Sequence, residues 1–218
     1  MKCRIILFAF IPAFIFICIQ GWRIFTHNIH PVDQGRVFRS SQLNSEDLEK
    51  TIRQYHLKTV INLRGKNTHK PWYDEEIEIC QRLGIDHLDI RWSAKHLPEP
   101  DEILKLLHAF HTATYPLLLH CQAGADRTGL ASALYLIDQK HLSSQEAAHR
   151  SLNLAVGHMA LYPYFEMDEF LIHFENSQGI DLEQWVTNQY PTIYAQESKE
   201  STWNEMIEPL VMHQKRFP

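Results

Sequence analysis

An α/β fold with a mainly parallel central sheet flanked by helices on both faces is what this 218-residue sequence predicts, and three observations carry the expectation. Short aliphatic or β-branched runs alternate with stretches of helical periodicity. The helical stretches begin at capping residues and close at glycines. The two most apolar globular segments, 117–119 and 130–137, flank a loop of small residues. Strands alternating with helices pair in parallel, because each crossover helix carries the chain back to the same end of the sheet.

Each element has its own justification. Val37–Ser40 reads as the first short strand. Asn44 or Ser45 caps a helix through Tyr55, and Glu46 and Asp47 in its first turn complement the helix dipole. Lys58–Leu63 has the β-branched content of a buried strand, which Arg64 and Gly65 end. Tyr73–Leu83 is a helix closing at Gly84, and Ile85–Ile90 is the next strand. Ile103, Leu104, Leu106, Leu107 and Phe110 make a helical stripe. Tyr115 and Pro116 punctuate the chain before a short buried strand at Leu117, Leu118 and Leu119. Leu130, Ala131, Ala133, Leu134, Leu136 and Ile137 read as a buried helix. Ser143-Ser144-Gln145-Glu146 is a capping box opening a helix that runs to about Val156, where Gly157 stops it. Phe165–Glu175 and Asp181–Tyr190 are further helices, and the tail from Gln196 has few periodic features.

The loop between the central strand and its helix reads His120-Cys121-Gln122-Ala123-Gly124-Ala125-Asp126-Arg127-Thr128-Gly129. Such a loop can curl its backbone N–H groups inward, and the positive end of the following helix points at the same place, so an oxyanion suits it. Gly124 frees the turn, while Ala123 and Ala125 keep side chains out of the cradle. Arg127 adds a planar fork of donors that can grip two oxygens of a phosphate. Cys121 stands at the start of this positive nest, which favours its thiolate and makes it a nucleophile. Thr128 is placed to hydrogen-bond that thiolate, and His120 to brace the loop from behind.

This stretch resembles the His-Cys-x5-Arg-Thr/Ser-Gly loop of the cysteine-based protein tyrosine and dual-specificity phosphatase superfamily. The resemblance covers about Val37 to His158, more loosely outside the loop. It implies a phosphatase-like fold and a phosphocysteine intermediate on Cys121. Arg127 and the backbone of Gln122, Ala123, Gly124, Ala125 and Asp126 would bind the phosphate, and an aspartic acid would protonate the leaving oxygen. It implies no metal and no other cofactor. Two other classes of function share the loop chemistry: a catalytically silent phosphate-binding module, and a rhodanese-like sulfur carrier using Cys121.

Two aspartates compete for the role of acid. Family members often carry it on a separate loop upstream of the cysteine, after the preceding strand, and Asp89 sits there. It is followed by Arg91 and Trp92 rather than preceded by the usual Trp-Pro. Asp126 precedes the loop arginine, as in some bacterial relatives, and there it either reaches the leaving group or braces the loop. Asp86 sits early, and Asp101 looks like a first-turn helix acid after Pro100. Arg39, Arg64 and Arg91, each near a strand end, are candidates for a basic rim. His158 follows Gly157, either at the site or as an ordinary helix-end residue.

The N-terminus differs from the rest. An unbroken apolar run from Ile5 to Ile19 is preceded by Lys2 and Arg4 and followed by Trp22 and Arg23. It is short of the roughly 20 residues that span a bilayer comfortably, but flanking basic side chains can snorkel. No small-x-small cleavage site follows it, so an uncleaved anchor is expected over residues 1–25, with a catalytic domain at 26–195 and a tail at 196–218. The basic N-terminus should stay cytoplasmic, sending the domain across the membrane, into the periplasm of a bacterium. The formal charge is −5, and every acidic residue lies beyond this segment, which excludes nucleic acid as a partner. The expected partners are the membrane and a phosphorylated protein or lipid substrate. Of the four cysteines, Cys3 and Cys18 belong to the N-terminal segment, so Cys80 and Cys121 form no disulfide framework. The 14 histidines include His108 and His111 on one helical face, an arrangement expected by chance and not read as a metal site.

Overall fold

The computed structural model describes residue 18 and residues 21–159, 166–177 and 179–199. The apolar run expected to anchor the chain lies outside the described residues except for Cys18, as does the tail beyond residue 199. Among the described residues no helix is long and apolar enough to cross a membrane.

The strands are β1 (His30–Asp33), β2 (Val37–Ser40), β3 (Thr59–Asn62), β4 (Asp86–Asp89) and β5 (Leu117–His120). The helices are α1 (Ser45–Tyr55), α2 (Pro71–Leu83), α3 (Pro100–Thr112), α4 (Asp126–Lys140), α5 (Ser144–Ser151), α6 (Glu166–Glu175) and α7 (Leu182–Asn188). The sheet order is β1-β2-β5-β3-β4. β2, β5, β3 and β4 run parallel, and β1 joins the edge antiparallel to β2. The expected fold class is therefore observed, with one extra strand. β1 carries Pro31 and a register shift, both tolerated on an edge and both poor advertisements for a strand.

Alternating side chains build two cores. Val37, Ile61, Leu63, Leu117 and Leu119 face one side, against Ile103, Leu106 and Phe110 of α3 and the apolar residues of α4, α6 and α7. Phe38, Val60 and Leu118 face the other, against Leu48 and Ile52 of α1 and Ile79 and Cys80 of α2. A period of two thus sends neighbours on one strand to opposite cores. Helix α4 is buried continuously from Thr128 to Ile137. Each fully buried Leu or Ile there contributes about 1.5–3 kcal/mol, and together they fix where the helix begins.

The helix expected from the capping box to Val156 is divided. α5 ends at Ser151, and a 3-10 turn at Leu154–Val156 follows. Asn153 causes the break: its Oδ1 accepts from the N–H groups of Ala155 at 3.0 Å and Val156 at 3.4 Å, starting a new turn. Gly157 then ends it at φ +82°. Helical residues 21–25 precede the sheet and expose Trp22, Ile24 and Phe25.

Candidate active site

Cys121 follows directly on the central strand. Its predecessor His120 is in register with Ser40 of β2 and Asn62 of β3, so the cysteine emerges at the carboxyl edge of a parallel sheet between two neighbours. Ligands of open α/β sheets bind at that edge. Residues 121–125 then turn into α4, whose first N–H groups are not capped by any described side chain.

The rear of this loop is clamped. Arg39 Nη2 donates to the carbonyls of Gly124 at 2.8 Å and Ala125 at 3.1 Å, and Nη1 donates to Ser151 O at 2.7 Å. Asn28 Nδ2 donates to the carbonyls of Ala123, Gly124 and Val156 at 3.2, 3.0 and 2.9 Å. The C=O and N–H of a trans peptide point in opposite directions. Holding these carbonyls to the rear therefore turns the N–H groups of the same peptides the other way, away from the clamp. Arg39 is wholly buried, and desolvation lowers it to about 10, partly countered by Cys121. This arginine, expected on a basic rim, is instead the back of the cradle.

Gly124 is the closest point of that packing. Its φ is +66°, and a Cβ there would lie 2.6 Å from the backbone of Ser40 and Ser41. Gly124→Ala is expected to cost about 3 kcal/mol in urea unfolding and to abolish phosphate binding in calorimetry. An alanine variant with unchanged unfolding would show that the loop has slack.

Arg127 is the second residue of α4, directly after Asp126. Its Nη1 donates to Trp92 O at 3.2 Å, while its buried Nε has no protein partner among the described residues and is available to an anion. Arg64 also approaches the loop: burial and the charge of Arg127 lower it, and its guanidinium lies 3.7 Å over the Trp72 ring. Arg91 is exposed, with its Cβ against Gly65.

His120 braces the loop through a partner that the sequence did not reveal. Its Nε2 lies 3.2 Å from Glu76 Oε1 on α2, which also meets His87 Nε2 at 2.8 Å, while Gln42 donates to Glu76 Oε2 at 2.7 Å. Burial opposes ionisation of Glu76, but the charge and hydrogen bond of His120, with the bonds from His87 and Gln42, hold its carboxyl far below the usual range. Thr128 Oγ1, expected on the thiolate, is buried and has no hydrogen-bond partner among the described residues, and the same holds for Ser40 Oγ and His120 Nδ1. Cys80 is buried in the second core, and its thiol is pushed up to about 12 by desolvation and Glu76, so it is inert.

The two candidate acids have different surroundings. Asp89 ends β4, and its carboxylate accepts from Tyr73 Oη at 2.5 Å and Asn62 Nδ2 at 2.8 Å. β3 lies between it and the strand that carries Cys121. Asp126 is in the loop itself, and its Oδ1 lies 2.7 Å from Nδ1 of buried His158. His158 Nε2 meets Asp168 Oδ2 of α6, also at 2.7 Å. Arg23, from helical residues 21–25, rests its guanidinium against Gly157, and Asp126 partly offsets the lowering that burial imposes on it. Asp86 is exposed at the start of β4, and Asp101 is in the first turn of α3. His111 meets Asp138 at 3.1 Å, and the described residues whose ligand atoms converge as for a metal are Glu169, His173 and Glu197.

A thiol in a cradle of amides, with a guanidinium at the helix start, is the working part of a cysteine-dependent phosphatase. Residues 21–137 match the model of the tyrosine phosphatase family, and the chain belongs to that family. No curated protein sequence matches it significantly. Solved structures share its fold. TpbA of P. aeruginosa is 20% identical over 68% of this chain and 85% of its own, with a TM-score of 0.55. A putative phosphatase from Shewanella putrefaciens is 19% identical over 71% and 95%, with a TM-score of 0.55. Tk-PTP in its active form is 22% identical over 69% and 97%, with a TM-score of 0.53. TpbA has also been solved as a cysteine-to-serine variant in complex with pTyr.

Proposed function

We propose that the chain hydrolyses phosphomonoesters through a phosphocysteine on Cys121. The observation that carries this reading is the clamp of Arg39 and Asn28 on the loop carbonyls, which turns the N–H groups of the same peptides away from the clamp in the loop that Cys121 begins. The thiolate attacks phosphorus and the P–O bond breaks. The loop amides and Arg127 hold the equatorial oxygens, where the charge of a loose transition state accumulates. Asp126 gives a proton to the leaving oxygen and then takes one from the water that cleaves the S–P bond. Asp126 is preferred over Asp89 because it shares the loop with Arg127, whereas Asp89 is engaged by Tyr73 and Asn62.

The substrate favoured by the family, and by the TpbA complex with pTyr, is phosphotyrosine or another phosphoprotein. A phospholipid-type substrate is the second reading. It is favoured by the exposed Trp22, Ile24 and Phe25 beside Arg23, and by the apolar run preceding them. In that reading the N-terminal segment is an uncleaved anchor and the catalytic domain lies on the extracytoplasmic side.

The test is a rapid acid quench of the full chain turning over an aryl phosphate, with peptide mapping. Phosphate is expected on the peptide containing Cys121, and steady turnover with no phosphate there overturns the reading. A phosphotyrosyl peptide and a phosphomonoester lipid in vesicles, tried as substrates in the same assay, separate the two substrate classes.

A further inference from the structure

We propose that His158 and Asp168 are positioning residues that supply Asp126 with its proton, a role resting on the phosphocysteine reading above. Both lie beyond the part of the chain that matches the family model, which ends at residue 137. Valence limits what the imidazole of His158 can donate. His158 presents Nδ1 to a carboxylate oxygen of Asp126 and Nε2 to one of Asp168, each at 2.7 Å. A neutral imidazole has one N–H and one lone pair, so it would set a lone pair against an anionic oxygen. Only the imidazolium donates to both.

The surroundings agree. Burial of His158 favours the neutral ring, but its hydrogen bonds to Asp126 and Asp168 and their charges outweigh this and raise it to about 9. The charged groups around the relay are Asp126 on α4 and Asp168 on α6, with Arg23 and Arg39 interacting with Asp126. Asp168 and His158 also line a groove of about 710 Å³ with Leu152, Leu154 and Met159, so the outer end of the relay opens toward solvent.

The pair of His158 and Asp126 thus holds one transferable proton. When the P–O bond breaks, its electron pair stays on the leaving oxygen, which takes that proton through Asp126 as His158 Nδ1 becomes neutral. Sulfur has meanwhile bonded to phosphorus. In the second step the water oxygen bonds to phosphorus, the S–P electrons return to the sulfur as thiolate, and a water proton restores the pair. Asp168 holds the ring through Nε2 in both steps.

The experiment compares the full chain with its His158→Gln variant on an alkyl phosphate and on a dinitrophenyl phosphate, whose leaving group needs little protonation. On the alkyl ester kcat/KM is expected to fall about 100-fold, and on the activated ester far less. The wild-type rate on the alkyl ester is expected to fall as pH rises through the pKa of His158, raised to about 9. In the variant that alkaline limb moves to lower pH. Equal losses on both esters, or an unmoved limb, would overturn the proposal. Asp168→Asn decides the matter if His158→Gln does not fold: one carboxylate fewer lowers the limb, and an unmoved limb refutes the relay. Phosphate trapped on Cys121 with an unmoved limb discards the relay alone, whereas turnover without phosphate on Cys121 discards the chemistry beneath it.

Discussion

Cys121→Ser is expected to lower turnover of an aryl phosphate by at least about 10,000-fold while phosphate or vanadate still binds. The two halves of this result have separate causes. In the proposed mechanism binding belongs to the loop amides and Arg127, and the loop is held by Arg39, Asn28 and the buried start of α4 rather than by the sulfur. In the same mechanism turnover belongs to the nucleophile, and a serine hydroxyl is a far weaker nucleophile and leaving group toward phosphorus than the sulfur it replaces. Isothermal titration with phosphate and a continuous assay measure the two halves on one preparation. Residual turnover within about tenfold of wild type would place the nucleophile elsewhere.

Arg39→Met is expected to cost about 3–5 kcal/mol of stability, read from urea unfolding. Methionine fills much of the arginine's volume but leaves the carbonyls of Gly124, Ala125 and Ser151 without their donor, and each buried orphan costs about 1–3 kcal/mol. Activity is expected to vanish even in the fraction that folds, because the released carbonyls are free to turn into the cradle. Lysine should not rescue it, since one ammonium cannot reproduce a planar fork held between two elements. A loss below about 1 kcal/mol would mean that the loop holds its shape without this cation.

The reach of the sequence is seen by comparing residues. β2 to β5 and the helices between them were legible because a period of two or of 3.6 is written into contiguous residues. The loop from His120 to Gly129 was legible for a related reason: nucleophile, turn glycine and guanidinium occupy one short stretch, so spacing alone implies geometry. The supports were not. Asn28, Arg39 and Glu76 reach the loop from separate elements, and a lone Asn at φ +54° or a Glu on an amphipathic helix carries no local mark of its destination. Asp168 was hidden in the same way, since it is one of three acids in the first turn of α6 and nothing local marks it out from Glu166 and Glu169. The division of the helix expected to reach Val156 also depended on a side chain, that of Asn153, choosing the backbone over solvent.

The contact between Arg23 and Gly157 joins the beginning of the described chain to the rim of the reaction chamber. The turn at residues 21–25 is therefore a wall as well as a lead-in. The Arg23 guanidinium ties that turn to the segment carrying His158, and the same turn presents indole and phenyl surface to solvent.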